Sequence, residues 1–151
     1  GPNRAANLVN RMAYYARAMV TLVKGLDVGG GFEGYSDSTG IDAQGVYRAG
    51  RWTARAEYVR EHNRRTDVHT SGWYALGAYG AIPQRLQLVG RVQQFDPSDR
   101  VAADRSTGYL LGLQCFFRGD DFKLIADYEL FREQGAQLEN DRFVMQLQVR
   151  W

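Results

Sequence analysis

The C-terminal stretch Arg142-Phe143-Val144-Met145-Gln146-Leu147-Gln148-Val149-Arg150-Trp151 changes between apolar and polar residues at almost every step. The odd-numbered residues from Phe143 to Trp151 are all apolar, and the even-numbered ones are polar except for Val144. Successive side chains of a β-strand point to opposite faces, whereas a helix would scatter these residues around its axis. The stretch therefore predicts a strand with one apolar and one polar face.

The same two-residue period recurs seven times upstream of this strand. It covers Leu26–Glu33, Ile41–Arg48, Trp52–Val59, Trp73–Tyr79, Arg85–Gln93, Gly108–Phe117 and Phe122–Leu130. Eight strands are therefore predicted, and the chain is expected to be all-β. Tight connections such as Lys24-Gly25 and Gly50-Arg51 alternate with longer polar ones at Ser36–Gly40, His62–Thr70, Asp96–Ser106 and Arg132–Asp141, and this alternation is the layout of an antiparallel outer-membrane barrel.

Residues 1–24 permit two interpretations. Arg11–Thr21 alternates as a ninth strand would, with Tyr14, Ala16, Ala18 and Val20 on its apolar face. Leu8, Met12, Tyr15, Met19 and Leu22 also repeat at helical spacing, which fits a helical or periplasmic segment. The strand is favoured, and the alternative stays open.

Composition excludes several classes of protein. The chain has 151 residues, of which 44% are hydrophobic, and a net charge of +2. It contains no apolar run long enough for a transmembrane helix, and it is too apolar for a disordered chain. A charge so close to zero gives no reason to expect a nucleic-acid partner. Cys115 is the single cysteine, so an internal disulfide is excluded.

The aromatic residues of the apolar faces suggest a membrane-spanning β-barrel. They lie near both ends of the strands, with small aliphatic residues between them, as in the interfacial girdles of outer-membrane barrels. Tyr109 and Phe117 stand eight residues apart, or roughly 26 Å along a strand, which fits a tilted crossing. The predicted interface residues are Trp52, Tyr58, Tyr74, Tyr109, Phe117, Phe122, Tyr128, Phe143 and Trp151.

This assignment places Tyr74, Leu76 and Ala78 towards lipid, and Trp73, Ala75, Gly77 and Tyr79 towards the lumen. Aromatic residues on a lumen wall are unusual for a wide pore. They would fit an inward-folded loop or the filled interior of a small barrel.

The opposite faces carry charges in mid-strand, where lipid contact would be costly. The predicted pore-lining residues are Arg17, Arg48, Arg55, Arg85, Arg91, Lys123, Arg142, Arg150, Glu57, Asp127 and Glu129. Basic and acidic groups are close to balance, which favours an ion-paired, solvated wall. The sharper alternative is a wall that attracts anions through its arginines.

The number of strands bears on whether 1–151 is a whole domain. Single-chain bacterial barrels have an even number of strands, with both ends on the periplasmic side. Eight strands would make a complete small barrel, whereas nine would make the C-terminal part of a larger one.

Several stretches resemble the C-terminal half of the phosphate-selective porin O and P family. They are Val20–Gly30 (VTLVKGLDVGG), Trp52–Val59 (WTARAEYV), Val89–Pro97 (VGRVQQFDP) and the terminal run with its aromatic last residue, Phe143–Trp151. The resemblance implies a sixteen-stranded barrel in the bacterial outer membrane, usually a homotrimer, through which small solutes and anions such as phosphate diffuse. Its partners would be outer-membrane lipid and the missing N-terminal half of the barrel, and no cofactor is implied.

Three other functions are weaker alternatives: a closed eight-stranded barrel with a structural or binding role, a soluble lipocalin-like binder, and an outer-membrane lipid hydrolase. The hydrolase hypothesis depends on His62, Asp67, His69 and Ser71, which cluster around one polar connection. The surrounding sequence has neither a nucleophile elbow nor a cysteine that would support a metal site, so neither an enzyme nor a metal site is predicted.

Overall fold

A computed structural model describes residues 12–135 and 140–151, which form one antiparallel sheet in which each strand pairs with its neighbours in sequence. The strands are β1 (Tyr14–Val23), β2 (Leu26–Tyr35), β3 (Ser38–Ala49), β4 (Trp52–Asn63), β5 (Val68–Ile82), β6 (Leu86–Asp96), β7 (Ser106–Arg118), β8 (Phe122–Glu133) and β9 (Arg142–Val149). Within these residues, no helix is long and apolar enough to cross a membrane.

The ambiguous N-terminal segment is a strand. β1 pairs with β2 from Tyr14 opposite Gly34 to Val23 opposite Leu26. Tyr14, Ala16, Ala18 and Val20 share one face, as the alternating pattern predicts. Arg11, which begins the predicted strand, lies outside the described residues.

The sheet has two open edges in the part of the chain that the structure describes. β1 pairs only with β2, and β9 pairs only with β8. The prediction of an all-β antiparallel chain is confirmed, with nine strands. Closure into a transmembrane barrel stays a prediction, because the described sheet is open.

The connections at one end of the sheet are tight turns of two or three residues, at 24–25, 50–51, 83–85 and 119–121. We call this the turn end and the opposite end the loop end. Gly25 has a φ of 86°, a left-handed conformation that favours glycine.

Two of the predicted loops are shorter than expected. The predicted loop Ser36–Gly40 is only the two residues Ser36 and Asp37, and His62–Thr70 shrinks to 64–67. The strands extend because Ser38 to Gly40 pair with β4, and His62 pairs directly with His69. The later loop-end connection 97–105 is long, as predicted.

Cross-strand register divides the side chains into two faces. The polar face includes the continuous paired row Thr21, Asp27, Val46, Arg55, Leu76, Arg91, Leu110, Glu129 and Arg142, with one residue from each strand. The apolar face carries the alternate residues, among them Trp52, Tyr58, Leu111 and Leu147. Strands β1–β4 and β6–β9 divide between the faces as the sequence predicts.

Strand β5 has the opposite orientation to the predicted one. Trp73 is paired with Tyr58, and Tyr79 with Trp52, so both lie on the apolar face. Tyr74 is paired with Glu57 and lies on the polar face, and its assignment to the apolar face is wrong. The prediction failed because neither face of β5 carries a charge, so alternation alone does not distinguish them.

Burial is inverted relative to a soluble protein. The buried hydrophobic residues are Val46, Ala78 and Leu110, and all three lie on the polar face beside the buried Glu129. Large apolar residues of the other face are exposed, and Leu111 has 71% of its surface accessible. The polar face is therefore the better covered one, as expected for the concave side of a curved sheet.

Candidate functional site

The polar face is the candidate functional surface, and it collects most of the residues predicted to line a pore. Nine of them lie on this face within the strands: Arg17, Arg48, Arg55, Glu57, Arg91, Lys123, Asp127, Glu129 and Arg142. Arg85 and Arg150 lie just beyond strand ends, where their backbone amides take part in hydrogen bonds at the turn end. These two residues are therefore at the edge of the face.

A three-residue ionic cluster occupies the polar face of β6, β8 and β9. Arg91 Nη2 lies 3.4 Å from Glu129 Oε1, and Arg142 Nε donates to the other carboxylate oxygen, Oε2. Leu110 on β7 lies between Arg91 and Glu129 in the paired row and is buried. Glu129, with a side chain only 10% exposed, is thus stabilised by two guanidinium groups.

Ion pairs of only two residues hold the basic side chains near the turns in place. Arg48 Nη1 lies 2.9 Å from Asp27 Oδ2, and Lys123 Nζ lies 2.8 Å from Asp120 Oδ1. The hydrogen bond from Lys123 and its positive charge hold the pKa of Asp120 below its usual value. Arg150 pairs in the same region with Asp121, so turn carboxylates partly neutralise this end.

Charge is distributed unevenly along the strands. We define the turn band as the four tight turns, the four strand residues on either side of each turn, and residues 150–151. Its eight basic residues are Lys24, Arg48, Arg51, Arg55, Arg85, Arg118, Lys123 and Arg150. Its three acidic residues are Asp27, Asp120 and Asp121. The turn end of the sheet is therefore strongly basic.

The central band, made of the strand residues that remain when the four residues at each strand end are left out, has a different character. Its charged residues are Asp42, Glu57, Arg91, Asp127 and Glu129, and every one lies on the polar face. Glycine makes room for two of the carboxylates. A Cβ added to Gly112 would lie 2.3 Å from Asp127 Oδ1, and one added to Gly31 would lie 2.1 Å from Asp42 Oδ2. Alternation in the sequence predicts that Glu57, Arg91, Asp127 and Glu129 lie on the polar face, but their common band depends on the strand bounds, which the sequence does not give.

A half-open cleft of about 450 Å³ lies on the polar face towards the loop end. Its floor is the paired row Glu57, Tyr74, Gln93, Gly108 and Phe131. Tyr74 donates a hydrogen bond of 3.0 Å to Glu57 Oε2. The sequence does not predict this cleft, because alternation in β5 assigns Tyr74 to the apolar face.

The apolar face carries aromatic rings in two bands, and the correction to β5 adds one residue to each. At the turn end, the rings of Trp52 and Tyr79 are 4.5 Å apart, and those of Phe117 and Phe122 are 4.9 Å apart. At the loop end, Trp73 joins the predicted residues Tyr58, Tyr109, Tyr128 and Phe143, all of which are exposed. Trp151, the last predicted interface residue, is fully exposed beyond β9.

The histidines stand at the loop end of β4 and β5. Their rings stack with centroids 4.2 Å apart, and His62 Nε2 lies 3.1 Å from Asp67 Oδ1. The His62 contact, followed by the charge of Arg100, keeps the pKa of Asp67 below its usual value. Among residues 12–135 and 140–151, no hydrogen bond joins Ser71 to either histidine, and no metal-binding cluster is present. This arrangement offers no activated nucleophile.

A model of a known protein family matches most of the chain. The model for phosphate-selective porin O and P matches residues 19–151. The chain belongs to the porin O and P family. The resemblance inferred from Val20–Gly30 and the other quoted stretches is therefore confirmed.

Membership supports an outer-membrane porin in general, and a porin family implies a channel. No curated protein and no solved structure matches the chain.

Proposed function

We propose that the sheet is one wall of a water-filled channel in the bacterial outer membrane, with the polar face towards the lumen and the apolar face towards lipid. One observation carries this proposal: every charged residue of the central band lies on the polar face, while large apolar residues such as Leu111 are exposed on the other. Charges in mid-membrane are tolerated when they face water, and exposed apolar residues are stabilised by lipid.

The two aromatic bands support the same orientation. Aromatic rings are favoured at both membrane interfaces, because they combine an apolar body with a polar or polarisable edge. The bands lie at opposite ends of the strands, as two interfaces require. Outer-membrane lipid is therefore the partner of the apolar face.

The two open edges support a larger barrel. Unpaired strand edges cannot face hydrocarbon, because each free N–H and C=O would remain unsatisfied there. We infer that residues 1–151 form the C-terminal half of a sixteen-stranded barrel, whose other strands pair with β1 and β9. We also expect a homotrimer, as the family usually forms. Nine strands with two open edges do not support the alternative of a closed eight-stranded barrel.

The basic turn band supports a preference for small anions, including phosphate, at the turn-end mouth. Arg48, Arg55 and Arg85 belong to this band, and arginine matches the geometry of phosphate oxygens. The nearby carboxylates Asp27 and Asp120 reduce the positive potential of this band. The preference should therefore be modest.

Planar-bilayer recording of the refolded full-length protein tests this function. We expect stepwise conductance and, under a salt gradient, a reversal potential slightly towards anions. The double variant Arg48→Gln with Arg55→Gln should move the reversal potential towards cations. Repeated insertions without conductance would contradict the channel, and an unchanged reversal potential would contradict the role of the turn band.

A further inference from the structure

The cleft on the polar face is opened at Gly72 on β5, which leaves a gap in the layer of side chains above the paired strands. At Gly108 on β7 the side chain of Gln93 takes the equivalent space, since its Cγ and Nε2 would lie 3.0 Å from an added Cβ. A Cβ at Gly72 would make only ordinary contacts, 3.4 Å to the carbonyl oxygen of Gln94 and 3.5 Å to the ring of Phe95. The space above Gly72 is therefore available to a ligand and is not filled by a neighbouring group.

The lining of the cleft combines aromatic rings with carboxylates. Tyr74, Phe95 and Phe131 supply rings, and Glu57 and Glu61 supply negative charge. Phe95 is half exposed, so its ring is accessible. None of the described residues lining the cleft is basic.

Glu57 has capacity for a further donor. Its Oε2 accepts the hydrogen bond from Tyr74, a neutral partner whose hydroxyl also lies near Arg55, and no ion pair joins Glu57 to a basic group among the described residues. Glu57 is shielded partly from solvent, which strengthens its attraction for a cation. Phe131 at the end of the same row already has the guanidinium carbon of Arg142 at 5.6 Å from its ring centre. The local geometry therefore suits cation–π contact.

We propose that this cleft is a binding subsite for a small organic cation, an ammonium or guanidinium group attached to a flat apolar body. The cationic group binds at Glu57, and Glu61, about 13 Å further along β4, adds to the negative potential of the cleft. The apolar body packs against Tyr74 and Phe95. An anion would meet two carboxylates without a basic neighbour in the lining. A neutral ring would gain the aromatic contact but would have to desolvate Glu57 without compensation. The subsite is distinct from the basic turn band and from the anion preference proposed for it.

Binding to the full-length protein, refolded in detergent, tests the subsite without requiring ion conduction. The probes are benzylammonium, benzyl alcohol and benzoate, which are similar in shape and differ in charge. Saturation-transfer NMR and calorimetric titration should detect benzylammonium most strongly, benzyl alcohol weakly and benzoate least. Equal binding of benzyl alcohol would reveal an apolar site, and stronger binding of benzoate an anion site, and either result overturns the proposal.

Two variants locate the binding. Glu57→Gln keeps the shape and an acceptor for Tyr74, and it should weaken benzylammonium binding by about tenfold, because a hydrogen bond to a charged group becomes a neutral one. Gly72→Val should fill the cleft and abolish binding. Glu33→Gln is the matched control, since it removes the same charge from the polar face of β2 outside the cleft, and it should leave the affinity unchanged.

Heat-modifiability on a denaturing gel verifies that each variant is folded, and Glu61→Gln provides a second test if Gly72→Val does not fold. Unchanged affinity in Glu57→Gln and Glu61→Gln would overturn the proposal. An equal loss of benzylammonium affinity in Glu33→Gln would also overturn the proposal, because it would show a general effect of charge on the polar face.

Discussion

Arg91 on β6 and Glu129 on β8 meet across β7, with Arg91 Nη2 3.4 Å from Glu129 Oε1 and the side chain of Leu110 between their strands. Arg142 binds the other oxygen of the same carboxylate. Glu129 thus neutralises two arginines on the polar face. Removing its charge should affect both the stability of the fold and the ion selectivity of the channel.

Glu129→Gln should lower the free energy of unfolding by about 1–3 kcal/mol, because two guanidinium groups lose their counter-charge in a covered position. The reversal potential under a salt gradient should also move towards anions. Urea titration of the refolded protein and bilayer recording measure these effects. Glu133→Gln is the control near the loop end of β8. Equal effects of the two changes would contradict a specific role for the cluster.

Leu111 provides the sharpest test of which face meets lipid. It is 71% exposed on the apolar face of β7, so arginine would cost little there if the face met water. In a bilayer, Leu111→Arg should reduce stability by about 2–4 kcal/mol, the range for arginine near the midplane.

The matched change Gln114→Arg, on the polar face of the same strand, should cost much less. Urea titration in lipid vesicles measures both variants. A tolerated Leu111→Arg would place this face in water and would remove the main support for the channel proposal.

The sequence specified the alternation of eight strands, because charged residues mark one face of nearly every strand. Asp127 and Glu129 do this for β8, and Arg55 and Glu57 for β4. On β5, by contrast, Trp73, Ala75 and Gly77 face one way and Tyr74, Leu76 and Ala78 the other, and both sets are uncharged. The orientation of β5 is decided only by the cross-strand pairing of Tyr74 with Glu57 on β4. The cleft could not be foreseen for the same reason, since it combines side chains from five strands.

Two turn glycines should differ in their tolerance of a side chain, although both have positive φ. A Cβ at Gly25 would lie 2.2 Å from the carbonyl oxygen of Arg48, whereas at Gly50 nothing lies within 4 Å. Gly50→Ala should cost about 1 kcal/mol, from the left-handed conformation alone. Gly25→Ala should cost at least about twice as much, because the backbone of β3 must also move. Equal urea midpoints for the two variants would contradict the close approach at Gly25.

Asp67 joins two loop-end connections and should make their association depend on pH. It contacts His62 on β4 and pairs with Arg100 in the connection 97–105, and its pKa is below the ordinary 3.8. A carboxyl with a lower pKa in the folded than in the unfolded chain stabilises the fold above its unfolded pKa. That contribution is lost as pH falls through the folded pKa.

A spin label at Val101, in a Cys115→Ser background, reports the mobility of this connection. Mobility should be low at about pH 6 and rise only at a pH below the ordinary value of 3.8, where the lowered pKa of Asp67 is passed and the carboxyl becomes protonated. Asp67→Asn should be mobile already at the higher pH, because the charge that holds Arg100 is absent. Asp104→Asn, the same change elsewhere in the connection, should behave as the unmodified chain does. If Asp67→Asn and Asp104→Asn gave the same spectra at about pH 6, the Asp67–Arg100 pair would not hold the connection.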